Sequence, residues 1–180
     1  MPARPISVIG IDPGFTGGIF ALTEGRFASA MPMPIFQATG KGKKRRSLDL
    51  NTISTFLVTF RDITELTVYV EKVGVMPGEG PVGAFSFGYG TGQLTGLCFG
   101  LGIPVQRPSP QTWKKWTMEG QMKGTEAAVA QGMFPNFSFI LPRCRKPHSG
   151  LTHSCLIAVY GWRSLLGQTG DVKKRKNASK

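Results

Sequence analysis

Two acids stand at the ends of apolar runs. Asp12 closes Ile6-Ser7-Val8-Ile9-Gly10-Ile11-Asp12 and is followed at once by Pro13-Gly14; Glu71 closes Leu66-Thr67-Val68-Tyr69-Val70-Glu71. Apolar, β-branched runs bounded by turn residues read as buried strands. Ligands collect at strand ends in open α/β sheets, and oxygen ligands of this kind suit a hard cation such as Mg²⁺. A further acid is hard to find. No aspartate or glutamate lies between Glu126 and Asp171, and that gap contains the only two histidines, His148 and His153. The gap segment His148-Ser149-Gly150-Leu151-Thr152-His153-Ser154-Cys155-Leu156 carries no carboxylate.

The elements that must hold these residues follow from pattern. Residues 6–12, 17–22 and 26–31 read as three strands of a β-meander, turning at Glu24-Gly25. Gly40-Lys41-Gly42-Lys43-Lys44-Arg45-Arg46 is too charged and glycine-rich for a core and is expected to be a loop. Asp49 can cap a helix to about Phe60, with Leu50, Ile53, Phe56, Leu57 and Phe60 on one face. A strand over 66–73 leads to a Gly/Pro-rich loop over 74–83 and a helix from about Val82 to Gly102. In that helix Gly88, Gly92 and Gly96 share a face, expected to let another backbone approach closely. A short strand over 103–106 and a helix from Ser109 or Pro110 through Trp116 come next. Helices over 123–133 and 152–166 complete the pattern. Strands and crossovers in this order predict an α/β protein with a layered sheet, as one domain over 1–166 with a basic tail over 167–180.

The chain has 180 residues, with 22 Lys and Arg against 10 Asp and Glu, a net charge of +12. Such an excess points to a polyanion, above all nucleic acid. Cationic side chains are spread over Lys41, Lys43, Lys44, Arg45 and Arg46, then Lys72, Arg107, Lys114 and Lys115, then Arg143, Arg145 and Lys146. Such residues neutralise phosphates without reading sequence. Phe85, Phe87 and Tyr89 follow the glycine loop, either as core rings or as a platform for an unpaired base. Trp113 and Trp116 share a helix face and read as core. Cys98, Cys144 and Cys155 form no CxxC pair, which excludes the usual zinc and disulfide frameworks and suits a reducing compartment. No apolar run is long enough to span a membrane, and no secretory signal is visible. An intracellular place is expected, in an organelle such as the mitochondrion or in a phage-infected cell.

Four segments together resemble one family. Ile9-Gly10-Ile11-Asp12-Pro13-Gly14, Val70-Glu71-Lys72-Val73, Phe85-Ser86-Phe87-Gly88-Tyr89-Gly90 and Pro108-Ser109-Pro110-Gln111-Thr112-Trp113-Lys114 look like RuvC-type Holliday-junction resolvases, closest to the phage and organellar branches. The likeness covers about residues 6–165. It implies a ribonuclease-H-like mixed sheet flanked by helices and phosphodiester hydrolysis by two Mg²⁺ ions. Asp12 and Glu71 match the first two metal ligands. At the final helix the family shows a pattern similar to His-Gly-Arg-Ala-(Asp/Glu)-Ala. Here His153 occupies the carboxylate position, Ser149 a ligand position, and Leu151 the arginine.

The resemblance therefore implies a catalytic trio, Asp12, Glu71 and His153, that departs from the family where the negative charge is needed. Two dications need several carboxylates to offset their repulsion, and imidazole brings no charge and favours softer ions. His153 could instead pair with Asp12. His148 is expected to lie in a surface loop. Two functions stay open. One is a catalytically inactive protein that binds a DNA junction or structured RNA, without cofactor, perhaps within a large ribonucleoprotein such as an organellar ribosome. The other is an active, homodimeric resolvase that uses Mg²⁺ at Asp12 and Glu71. Nothing in the residues separates RNA from DNA.

Overall fold

The strand that ends in Asp12 is the middle strand of the sheet. In chain order the strands are β1 (Ile6–Asp12), β2 (Gly18–Thr23), β3 (Arg26–Pro32), β4 (Ile35–Gly40), β5 (Lys43–Leu48), β6 (Glu65–Val70) and β7 (Val105–Gln106). The helices are α1 (Leu50–Ile63), α2 (Pro81–Gly100), α3 (Pro110–Thr117), α4 (Glu126–Met133) and α5 (Ser149–Leu165). The computed structural model describes residues 3–40, 43–72, 74, 78 and 80–169, with the backbone alone at 38–40 and 43–45. Five strands form one sheet in the order β3-β2-β1-β6-β7. β1, β2 and β3 pair antiparallel, whereas β6 and β7 add parallel strands beyond β1.

The period of two along a strand sorts the sheet into two cores. Ile9 and Ile11 of β1 and Val68 and Val70 of β6 face α1 and α2, packed with Ile53, Leu57, Leu94 and Cys98. Val8 and Tyr69 face the other way, toward Trp113, Cys155, Leu156 and Val159. Asp12 and Glu71 share the parity of Val8 and Tyr69, so both acids turn toward α3 and α5. The β1–β6 register finishes the argument. Ile11 is opposite Val70, and the Glu71 N–H donates to the Ile11 carbonyl at 3.0 Å. The two acids are thus adjacent on adjacent strands.

α5 is buried along most of its length, from Gly150 to Gly161. It can lie this close because β1 has a glycine under it. A Cβ at Gly10 would collide with the Ser154 carbonyl and the Ala158 backbone. Packing against β1 and β2, more than propensity, holds such a helix in place.

Several expected elements differ. Residues 43–48 form a strand, not a loop: β4 and β5 pair antiparallel from Gly40↔Lys43 to Ile35↔Leu48. Pairing satisfies the backbone of this charged ribbon, and buried Met33 and Leu48 anchor its base. The net charge of the segment hid a strand that needs no apolar face of its own. Lys41 lies outside the described residues, as do the side chains of Lys43, Lys44 and Arg45 and all of the tail from 170. α5 begins at Ser149 rather than Thr152, because His148 caps it. α4 begins at Glu126, not at 123. The glycine face of α2 packs against nothing described: a Cβ at Gly88, Gly92 or Gly96 would meet no atom within 4 Å.

Candidate nucleic-acid interface and residual metal site

His153 projects from the second turn of α5 onto the two acids. Its Nδ1 lies 3.4 Å from the Asp12 Oδ2. Glu71 is 9% exposed, and its Oε1 accepts a 2.8 Å hydrogen bond from the Trp113 Nε1–H. Trp113 is fully buried and sits 5.7 Å from the His153 ring, centroid to centroid. Burial holds the Glu71 carboxyl above its ordinary range. The Trp113 bond opposes that shift, the Asp12 charge adds to it, and His153 and Lys114 act against it.

Two participants were not foreseen. Trp113 was expected only to pack, yet it also holds Glu71; a separation of 42 residues leaves no local sign of such a bond. Glu126 bounds the acid-free gap, and α4 turns it back toward the site. Its Oε1 accepts from the Lys114 Nζ at 3.2 Å, and the Lys114 Nζ stands 5.3 Å from the Trp113 ring centre. Each acid therefore has an internal partner: His153 for Asp12, Trp113 for Glu71 and Lys114 for Glu126.

This donor set does not fit two Mg²⁺ ions. Asp12 and Glu71 are the only carboxylates at the strand ends, the residue facing them is an imidazole, and one Glu71 oxygen is engaged by an indole. Among the described residues, no three His, Cys, Asp or Glu side chains form a group able to hold a metal ion. Ser149 is exposed at the first position of α5. His148 is not a loop histidine: its Nδ1 accepts from the Leu151 N–H at 3.2 Å and caps α5. Burial lowers the His148 pKa, which suits the neutral ring that this cap requires.

The remaining sequence candidates surround this cluster rather than enter it. Lys72, Lys115, Arg143, Arg145 and Lys146 are exposed. Arg46 at the base of the β4–β5 hairpin lies over the Phe15 ring, 5.6 Å from its centre, which brings the hairpin beside the turn after Asp12. Phe85 is 73% and Tyr89 61% exposed, and their rings stack on each other at 6.1 Å. Phe87 is half-buried. No helix among the described residues is long and apolar enough to cross a membrane.

No family model matches the chain. Over 111 residues it is 32% identical to the Holliday junction resolvase MOC1, chloroplastic, of Chlamydomonas reinhardtii; the match covers 61% of this chain and 12% of that protein. Among solved structures, Thermus thermophilus RuvC superposes with a TM-score of 0.53 at 19% identity, covering 90% of this chain and 97% of that one. T. thermophilus RuvC in complex with Holliday junction substrate gives 0.56 at the same identity and coverage. The fold is that of RuvC. The central β1 with parallel β6 beside it, and α5 crossing both, are thus the RuvC-like, ribonuclease-H-like arrangement.

Proposed function

We propose that this chain is a RuvC-related protein that binds structured nucleic acid, a DNA junction or folded RNA, without two-metal cleavage. The observation that carries the proposal is the Asp12–His153 pair, 3.4 Å between Oδ2 and Nδ1. It puts a neutral or cationic ring where two dications would need negative charge. The charge of +12 and the exposed cations around the cluster support the binding half. The name of the similar resolvase and the junction complex of the fold neighbour support a branched nucleic acid as the ligand. Phe85, exposed beside the cluster, suits stacking on an unpaired base. An organellar location follows from the chloroplastic relative. A place within a large ribonucleoprotein, such as an organellar ribosome, would use the same basic surface.

A second reading has an observation of its own. Asp12 and Glu71 are adjacent on β1 and just past β6, at the ligand positions of the resolvases this chain resembles, so an active Mg²⁺-dependent, dimeric resolvase is the alternative. Incubating a labelled four-way junction with the protein and Mg²⁺ or Mn²⁺ separates the two. Binding without strand cleavage is expected. Cleavage that disappears in Asp12→Asn would overturn the proposal in favour of the resolvase.

A further inference from the structure

Acids are scarce in this protein, 10 against 22 Lys and Arg, so an acid spent on a lysine is informative. Among the described residues there are three ion pairs, and one of them joins sequence neighbours, Arg61 and Asp62. The other two, Asp12–His153 and Glu126–Lys114, both lie in the cluster at the ends of β1 and β6.

Lys114 is held in place from two sides. Its Nζ lies over the ring of Trp113, which is itself buried and bonded to Glu71, and Glu126 fixes the same ammonium group at 3.2 Å. The lysine side chain is 41% exposed and the glutamate side chain 17%, so the open approach is to the cation. Glu126 also does not depend on Lys114. It is the first residue of α4, where a carboxylate is favoured by the free N–H groups and the helix dipole. The largest influence lowering its pKa is its own backbone N–H, with Lys114 a smaller one. Loss of the lysine would leave the carboxylate well placed.

We infer that Lys114 is an oxyanion site for a nucleic-acid phosphate, and that the Glu126 carboxylate fills this site in the free protein. A phosphate oxygen and a carboxylate oxygen make the same kind of charge-assisted bond to an ammonium group. Binding then exchanges one oxyanion for another at the lip of the cluster, next to Glu71. Glu126 weakens every encounter that does not bring a phosphate onto Lys114, and so selects for backbones that follow the path from the β4–β5 hairpin across the strand ends to α3.

The inference rests on the nucleic-acid-binding reading, and its test keeps the two apart. Binding of a four-way DNA junction and of a folded RNA is measured from 50 to 300 mM salt, values on the order of the usual working range, for the wild type, E126Q, K114Q and the double variant. E126Q is expected to bind about threefold to tenfold tighter at low salt. Its plot of log affinity against log salt should steepen by about one phosphate contact. K114Q should bind more weakly, and the double variant no more tightly than K114Q. Glu126→Ser, which retains a residue suited to the first turn of a helix, should repeat the gain and guards against a folding defect in E126Q. Wild-type binding with no gain in either Glu126 variant overturns the exchange but leaves nucleic-acid binding standing. A gain that persists in the K114Q background also overturns it, since Glu126 would then act by general repulsion. A wild type that binds neither ligand overturns both readings.

Discussion

Glu71 is a buried carboxylate whose single identified hydrogen bond comes from Trp113. Burial raises its pKa, so the folded protein keeps this proton at pH values where the unfolded chain has lost it. Between the two pKa values the native state binds more protons, and stability falls as pH rises. Above both values the ionised side chain costs stability; below both it costs none. Glu71→Gln keeps an acceptor for Trp113 and removes that cost. Its melting temperature at pH 7 should exceed that of the wild type, on the scale of about 2–4 °C per kcal/mol for a chain of this size, and the difference should vanish near pH 3. A lower melting temperature at pH 7 would mean that the carboxylate is needed in its charged form. His153→Asp tests the neighbouring position. A third acid beside Asp12 and Glu71 should lower stability in EDTA by like-charge repulsion. Millimolar Mg²⁺ should restore it by binding the folded state. If Mg²⁺ stabilises the wild type equally, the present donor set holds the metal and the inactive reading is wrong.

α5 places His153 only because β1 lets it approach. Gly10→Ala forces a Cβ into the Ser154 carbonyl and the Ala158 backbone, and backbone cannot rotate aside as a side chain does. The expected cost is about 3 kcal/mol, the upper end of overpacking, visible as a lower midpoint in urea unfolding with the same slope. A variant as stable as the wild type would show that α5 can shift, and the Asp12–His153 contact with it. Asp49 offers a milder comparison at the start of α1. Its Oδ1 accepts from the Thr52 N–H and its Oδ2 from the Thr52 hydroxyl, and these bonds hold its pKa low. Asp49→Ala should cost about 1 kcal/mol and leave junction binding unchanged.

The protein as a whole presents a neutralised cluster ringed by cations. Its affinity for nucleic acid should therefore be dominated by counterion release and fall steeply with salt. Replacing Lys43, Lys44, Arg45 and Arg46 together by Ala removes the charge of the hairpin, whose base reaches Phe15 beside the Asp12 turn. Up to about four phosphate contacts would disappear, with a matching fall in the salt slope. A slope equal to that of the wild type would place the hairpin outside the footprint. The pairing of β4 with β5 does not need these side chains, so the variant should melt close to the wild type.

Much of this protein is determined locally. The apolar runs ending at Asp12 and Glu71, the Pro-Gly turn and the acid-free stretch from 127 to 170 are properties of the chain alone. They suffice for an α/β sheet with two acids at strand ends and for the absence of a further carboxylate in that stretch. Hydrophobic period and turn chemistry act over a few residues, so they can be read without a structure. The β4–β5 strands escaped that reading because a cationic ribbon has no apolar period. The His148 cap escaped it because histidine is an uncommon cap. Partnership was decided only by tertiary structure. The His153–Asp12 contact, the bond from Trp113 to Glu71 and the Lys114–Glu126 pair join residues between 12 and 141 positions apart. A parallel β1–β6 register and a helix lying on Gly10 bring them together, and neither is encoded in any short segment.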